Sequence, residues 1–323
     1  LVHAAIDRGI NYIDTAYVYM RGVNEETVGK VMQTKRDKVF LTTKVLRREP
    51  ENMREMVQTS LKRLKTDHVD LLLLHGAGSK DDITNENYLK ILDWAKKEGM
   101  TRFVGVSTHS NQPEVLEAIT GNSFWDGALV GYNYMTPPSV QQTIEKARNA
   151  GLAIIAMKNL LTSSWPAAPL EDMRKDTTGK ISKAQAFIKW VLDDRNVDTT
   201  VPGMTSFEHL DEDMAIMGMP MKFGERRTLD RYGAQLRGRY CAGVAGCTEC
   251  MDQCPMGVLV CELNRCIGYA DGYGDIDLAR ENYRELPSSN RVDMCGDCDE
   301  CTVKCVNGLD LNKTVQRARE LFA

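Results

Sequence analysis

Val39-Phe-Leu-Thr-Thr-Lys44, Val69-Asp-Leu-Leu-Leu-Leu-His75 and Phe103-Val-Gly-Val-Ser107 are short runs rich in β-branched and aliphatic residues, and each reads as a strand. The stretches between them, Met53–Leu64 and Tyr88–Glu98, carry apolar residues at helical spacing. The same rhythm extends outward in both directions. Asn11–Ala16 precedes as a strand, and Gly127–Tyr132, Ala153–Met157 and Asp198–Val201 follow. Helical patterns at Glu25–Gln33, Ser139–Ala150, Ser182–Asp193 and Phe207–Met217 separate them, and Ser182-Lys-Ala-Gln185 has the form of a capping box. The first strands recur at about 30 residues, the period of βα units rather than of hairpins. The chain opens inside a helix, with Leu1, Ala4, Ala5 and Ile6 on one face. One strand ahead of that helix makes eight βα units, so the expected fold is a (β/α)8 TIM barrel whose first strand lies upstream of Leu1. A doubly wound open sheet is the alternative, but the Gly-rich phosphate loop it usually carries, G-x-G-x-x-G, is absent.

The 323 residues contain ten cysteines, all between Cys241 and Cys305. Cys295-x2-Cys298-x2-Cys301-x3-Cys305 has the spacing that wraps four thiolates around a [4Fe–4S] cubane. Cys241-x5-Cys247-x2-Cys250-x3-Cys254-Pro255 is the same motif with three residues inserted in its first gap. A disulfide framework belongs to short secreted domains, whereas zinc ribbons spread paired knuckles farther apart. Where two clusters share a domain, the last cysteine of each run ligates the other cluster. That rule groups Cys241, Cys247, Cys250 and Cys305, and separately Cys295, Cys298, Cys301 and Cys254. Cys261 and Cys266 read as core thiols or neighbours of the cluster sulfurs. Helical patterns at Asp277–Tyr283 and Leu311–Phe322 make this a helical dicluster ferredoxin-like domain. We expect the barrel over residues 1–222 and the cluster domain over 223–323, with Gly218, Pro220 and Gly224 punctuating the boundary.

Hydrophobic content of 42% and charged content of 27% are those of an ordinary globular chain. No apolar stretch is long enough to cross a membrane, which predicts no transmembrane segment. A cytoplasmic location is the expectation, with an N-terminal export signal left open. The net charge of −4 is unevenly placed: Cys241–Ala323 holds 14 acidic and 8 basic residues, which leaves −6 there. Such a module is a poor nucleic-acid binder; its acidic face reads equally as a dock for a redox partner protein or as plain solvated surface.

In a barrel the reactive groups sit at the C-terminal ends of the strands. Asp14, Lys44, His75 and Ser107 end four successive strands, with Tyr19 in the loop just past Asp14. Singly each has an ordinary explanation, such as a solvated lysine or a rim histidine. Together they form a constellation.

The pieces Asp14-Thr-Ala-Tyr-Val-Tyr19, Leu41-Thr-Thr-Lys44, Asp70-Leu-Leu-Leu-Leu-His75, Phe103-Val-Gly-Val-Ser107, Gly151-Leu-Ala-Ile-Ile-Ala-Met157 and Val201-Pro-Gly-Met-Thr-Ser206 resemble the aldo/keto reductase family over nearly all of Leu1–Met217. Arg239-Tyr-Cys241 and Cys301-Thr-Val-Lys-Cys305-Val-Asn-Gly308 resemble a branch of it with a C-terminal iron–sulfur extension. The resemblance implies reduction of a small carbonyl substrate by hydride from NAD(P), with Tyr19 as the acid. A free phenol, with pKa about 10, is a poor acid at neutral pH, so its anion needs the Lys44 ammonium beside it. Asp14 would keep that lysine charged, and His75 would orient the carbonyl oxygen.

The nucleotide contacts depart from the family pattern. Ser107-Thr108 stands where a Ser-Asn pair usually holds the carboxamide, Leu129 where a glutamine does, and Met157 where an aromatic ring stacks. Around Gly203, Thr205 and His209 the usual basic grip on a 2′-phosphate is thinned, and Glu212 and Asp213 follow. NAD in preference to NADP, weak binding, or no nucleotide are the readings this leaves. The leading function is an oxidoreductase with two [4Fe–4S] clusters; the alternative is an electron-transfer subunit whose barrel serves as a docking scaffold.

Overall fold

The computed structural model describes residues 1–109, 111–160, 181–236, 239–242, 247, 249–272, 274–296, 298 and 300–322. Seven strands form one parallel sheet in sequence order: β1 (Tyr12–Asp14), β2 (Phe40–Leu46), β3 (Val69–His75), β4 (Thr101–Thr108), β5 (Gly127–Gly131), β6 (Ala153–Met157) and β7 (Thr199–Thr200). Every expected strand is present within a few residues. The eighth strand is expected ahead of Leu1, outside this sequence; the seven present form the parallel half-barrel of the expected (β/α) barrel fold, with β1 and β7 at its edges.

Helices connect successive strands, as parallel pairing requires. α1 (Val2–Asp7) precedes β1; α2 (Val23–Lys35), α3 (Pro50–Leu64), α4 (Lys80–Thr84), α5 (Glu86–Lys97), α6 (Gln112–Thr120), α7 (Pro138–Asn149) and α8 (Lys183–Leu192) lie between strands; and α9 (Phe207–Met214) follows β7. Local chemistry explains their ends. Pro50 opens α3 at a position that needs no N–H, and Met53, Val57, Leu61 and Leu64 bury its inner face. The capping box anticipated at Ser182 and Gln185 starts α8, and Ser206 caps α9. Gly29 lets α2 approach α3 closely, because a Cβ there would lie 2.1 Å from the Arg63 carbonyl oxygen.

Strand alternation then decides what faces the interior. Leu71, Leu73, Leu129, Ile155 and Met157 form one buried cluster, joined by Tyr12, Phe40 and Val201. The next positions after Tyr12 and Leu73 on this face are Asp14 and His75, at the ends of β1 and β3.

Two compact units partition the chain: Leu1–Val130 with Ser139–Met157 and Asp194–Ala215, and Gly131–Pro138 with Lys158–Asp193 and Ile216–Ala323. The second unit is helical, with α10 (Phe223–Leu236), α11 (Val260–Ile267), α12 (Ile276–Glu285) and α13 (Leu311–Phe322); no strand lies beyond Thr200 among the described residues. Val260, Leu263, Tyr283, Leu311, Val315 and other buried residues form its core, and Cys250, Cys254, Cys301 and Cys305 pack against that core from its margin.

Candidate active site and cysteine pocket

Asp14 and His75 end β1 and β3, and Lys44 lies two residues before the end of β2, with Asp14 paired in register with Thr42 and Lys44 with Leu73. The period of two puts Lys44 on the same face as Thr42, and His75 on the same face as Leu71 and Leu73. The fully buried Lys44 Nζ donates to Asp14 Oδ2 at 2.6 Å, to the Thr15 carbonyl at 2.8 Å and to Tyr19 Oη at 3.2 Å. The Tyr19 and His75 rings meet edge to face, with centroids 5.9 Å apart. All four residues named from the sequence are therefore brought together. Burial works against the ammonium of Lys44, but Asp14 and Tyr19 outweigh it and hold the lysine pKa above its ordinary value.

The expected nucleotide positions lie around this group. Ser107 is buried on β4, in register with Leu129 on β5, and the pleat sends Thr108 to the opposite face. Met157 and Leu129 are both in the interior cluster, where they offer apolar surface and no hydrogen bond. Past β7, Thr205 bonds the His209 ring at the start of α9, Ser206 caps that helix, and Gly203 borders open space. Asp213 is 5% exposed, and its carboxyl is pushed up to about 6 by burial and by Glu212, against a smaller pull from His209.

Sequence reasoning missed two features. One is a clamp of Arg63 and Glu25 on the loop that carries Tyr19. The other involves Lys158, which takes a left-handed φ of 62° and, within the second unit, reaches the buried phenol of Tyr269. Arg265 Nη1 also donates to that phenol at 3.4 Å, and the two cations overcome its burial and lower its pKa. These partners are 111 residues apart for Lys158 and Tyr269, so no local signal marks the contact.

In the second unit a cavity of about 270 Å³ is lined by Cys254, Cys295, Cys298 and Cys301, with Thr302 and Arg319 beside them. Cys254 belongs to the first run and the other three to the second. Burial raises the Cys295 thiol, and Cys254, Cys298 and Cys301 raise it further while Arg319 opposes them. The other four are gathered less completely. Cys247 is raised by burial and by neighbouring Cys250 and Cys305, and Cys241 lies near Cys261. Cys261 hydrogen-bonds Cys250, which pulls the Cys250 thiol down to about 7, and Cys266 is fully buried in the core. No cysteine is in a disulfide. Among the described residues, no three His, Cys, Asp or Glu side chains converge tightly enough to chelate a single metal ion. No helix among them is long and apolar enough to cross a membrane.

Comparison with known proteins matches residues 1–231 to the model of the aldo/keto reductase family; the match stops short of the first cysteine. Methylglyoxal reductase YeaE of Escherichia coli (strain K12) is 26% identical over 242 residues, covering 71% of this chain and 82% of its own. The uncharacterized oxidoreductase YqkF of Bacillus subtilis (strain 168) is 38% identical over 129 residues, 36% of this chain and 41% of its own length. Among solved structures, an aldo-keto reductase from Klebsiella pneumoniae in complex with NADPH is similar, with a TM-score of 0.62 and 26% identity over 72% of this chain and 83% of that one.

Proposed function

The chain belongs to the aldo/keto reductase family and is an oxidoreductase, and on that premise we propose that it reduces a small carbonyl compound with Tyr19 as proton donor. The observation that carries this reading is the position of Lys44 Nζ, 2.6 Å from Asp14 Oδ2 and 3.2 Å from Tyr19 Oη. A nicotinamide, when bound, supplies the hydride for the carbonyl carbon. Ser107 and the apolar surface of Met157 would hold its ring, and Thr205, His209 and Glu212 would face its nucleotide end. The proton work belongs to the chain's own residues. As negative charge develops on the substrate oxygen, the Tyr19 hydroxyl gives its proton to that oxygen, and His75 stands beside Tyr19 to orient it. The phenolate left behind is stabilised by the Lys44 ammonium, which Asp14 keeps charged and aimed.

Relatives described as methylglyoxal reductases make a small 2-oxoaldehyde the first substrate to try. Tyr19→Phe should lower kcat by about 10²–10⁴-fold, the usual contribution of a positioned acid. Turnover at the unaltered rate would move the chemistry elsewhere.

Eight cysteines, Cys241, Cys247, Cys250 and Cys305 with Cys254, Cys295, Cys298 and Cys301, fit two [4Fe–4S] clusters. The support is one cavity lined by four thiols drawn from both runs. Such clusters supply one-electron transfer to a partner protein, whereas hydride moves two electrons at once. A converter such as a flavin is therefore expected on the partner.

One observation favours a second reading, an electron-transfer subunit with a docking scaffold: Leu129 and Met157 pack into the apolar core where nucleotide contacts are expected. Anaerobic titration with NADH separates the two, because a scaffold shows no saturable binding.

A further inference from the structure

The backbone just past Tyr19 takes a conformation that side chains with a Cβ resist. Met20 (φ 51°) and Arg21 (φ 54°) are both left-handed, and Gly22 follows at φ 95°. Two non-glycine residues in succession there need ties from outside the loop.

Arg63, near the end of α3, supplies them. Its Nη1 donates to the Tyr17 carbonyl at 3.0 Å, and its guanidinium lies 4.6 Å from the centroid of the Tyr17 ring. It also fills the space above Gly22, where a Cβ would fall 2.4 Å from Cζ. Glu25, at the start of α2 and fully buried, holds Arg63 at 3.3 Å and accepts the Thr43 hydroxyl at 2.7 Å. Thr43 adjoins Lys44, and the Tyr17 N–H donates to the Lys44 carbonyl at 3.0 Å. The pair thus ties the loop of the acid to the strand of the lysine. A buried carboxylate is tolerated only when matched in this way.

We propose that Arg63 and Glu25 are positioning residues that hold the left-handed turn after Tyr19 and so fix the spacing of its hydroxyl from Lys44. The inference rests on Tyr19 being the proton donor. Neither residue touches the reacting atoms, so their effect must pass through the loop.

The test measures kcat and KM for Arg63→Met and Glu25→Gln in the full-length protein, each also in the Tyr19→Phe background. We expect kcat to fall about 10- to 100-fold, the cost of misplacing a catalytic group, while KM stays within about threefold. In the Tyr19→Phe background the same substitutions should leave the residual turnover unchanged, because the hydroxyl they position is already gone. Gly22→Ala is the second variant, for use if Arg63→Met fails to fold. It keeps both charges but crowds the guanidinium, and it should reproduce the loss in kcat.

Equal losses in both backgrounds would reveal a merely structural ion pair and overturn the proposal. So would unimpaired turnover of Arg63→Met beside an inactive Tyr19→Phe. If Tyr19→Phe itself turns over normally, the proton-donor reading fails first and the positioning role falls with it.

Discussion

Lys44 and Cys295 are both buried among titrating neighbours, yet their surroundings push in opposite senses. Lys44 faces Asp14 and Tyr19, groups that are or can become anionic, so its charge is favoured in spite of burial. Cys295 faces Cys254, Cys298 and Cys301, three groups of its own kind, with only Arg319 opposing. The first site is complete as folded: rigid strands deliver each charge to its partner. The second gathers thiols that would repel one another once ionised, an arrangement that a bound cationic centre would stabilise. One region is organised by its own charges; the other, on the proposed reading, would be organised by the cluster it holds.

The sharpest break of this comparison is metal removal. Cys254→Ala should lose one cluster and about half the iron, along with its visible absorbance, while carbonyl reduction stays within about twofold. Because Cys254 lines the cavity of the second run, Cys298→Ala should remove the same cluster, with no further loss when the two are combined. Loss of different clusters from the two variants would refute the exchange between runs. Loss of reductase turnover in either would mean the strand-end site is not complete without the cysteine region.

A smaller effect is expected at the nucleotide end. Gly203 borders open space and His209 is exposed, so Gly203→Lys with His209→Arg can add two cations without crowding. The unaltered protein should prefer NADH, and the double variant should shift that preference toward NADPH by roughly tenfold or more, as two charge-assisted phosphate contacts would. A protein that already binds NADPH clearly more tightly in fluorescence titration would show that other residues hold the 2′-phosphate.

What the sequence revealed follows from the range over which each signal acts. Val69–His75 and Ala153–Met157 were legible residue for residue, because aliphatic runs bounded by turn residues are local facts. β7 proved to be only Thr199–Thr200, although the Asp198 and Val201 amides still bond β6 carbonyls. The nearness of Asp14, Tyr19, Lys44 and His75 was legible because strand ends converge in this class of fold, and the meeting of Cys254 with Cys295, Cys298 and Cys301 was suggested by the spacing of the two runs. The eighth strand was inferred by counting and placed ahead of Leu1, outside this sequence. Glu25 was illegible: a glutamate in the first turn of a helix normally faces water and complements the helix dipole. Its burial depends on Arg63, 38 positions away.

The last prediction concerns a buried acid that lacks what Asp14 has. No cation among the described residues pairs with Asp213: burial and Glu212 push its carboxyl from 3.8 to about 6, and His209 pulls back. Between those two values the folded chain binds a proton that the unfolded chain releases. The stability from this group is therefore fully present below 3.8 and is lost as pH rises through about 6. Asp213→Asn removes the charge while keeping the shape. At about pH 8 it should raise the melting temperature by a few degrees at most, and at about pH 4 the gain should vanish. Melting curves of both proteins across that range supply the measurement. A gain independent of pH would assign the effect to packing, and a loss at about pH 8 would show that the carboxylate has a partner worth more than its burial costs.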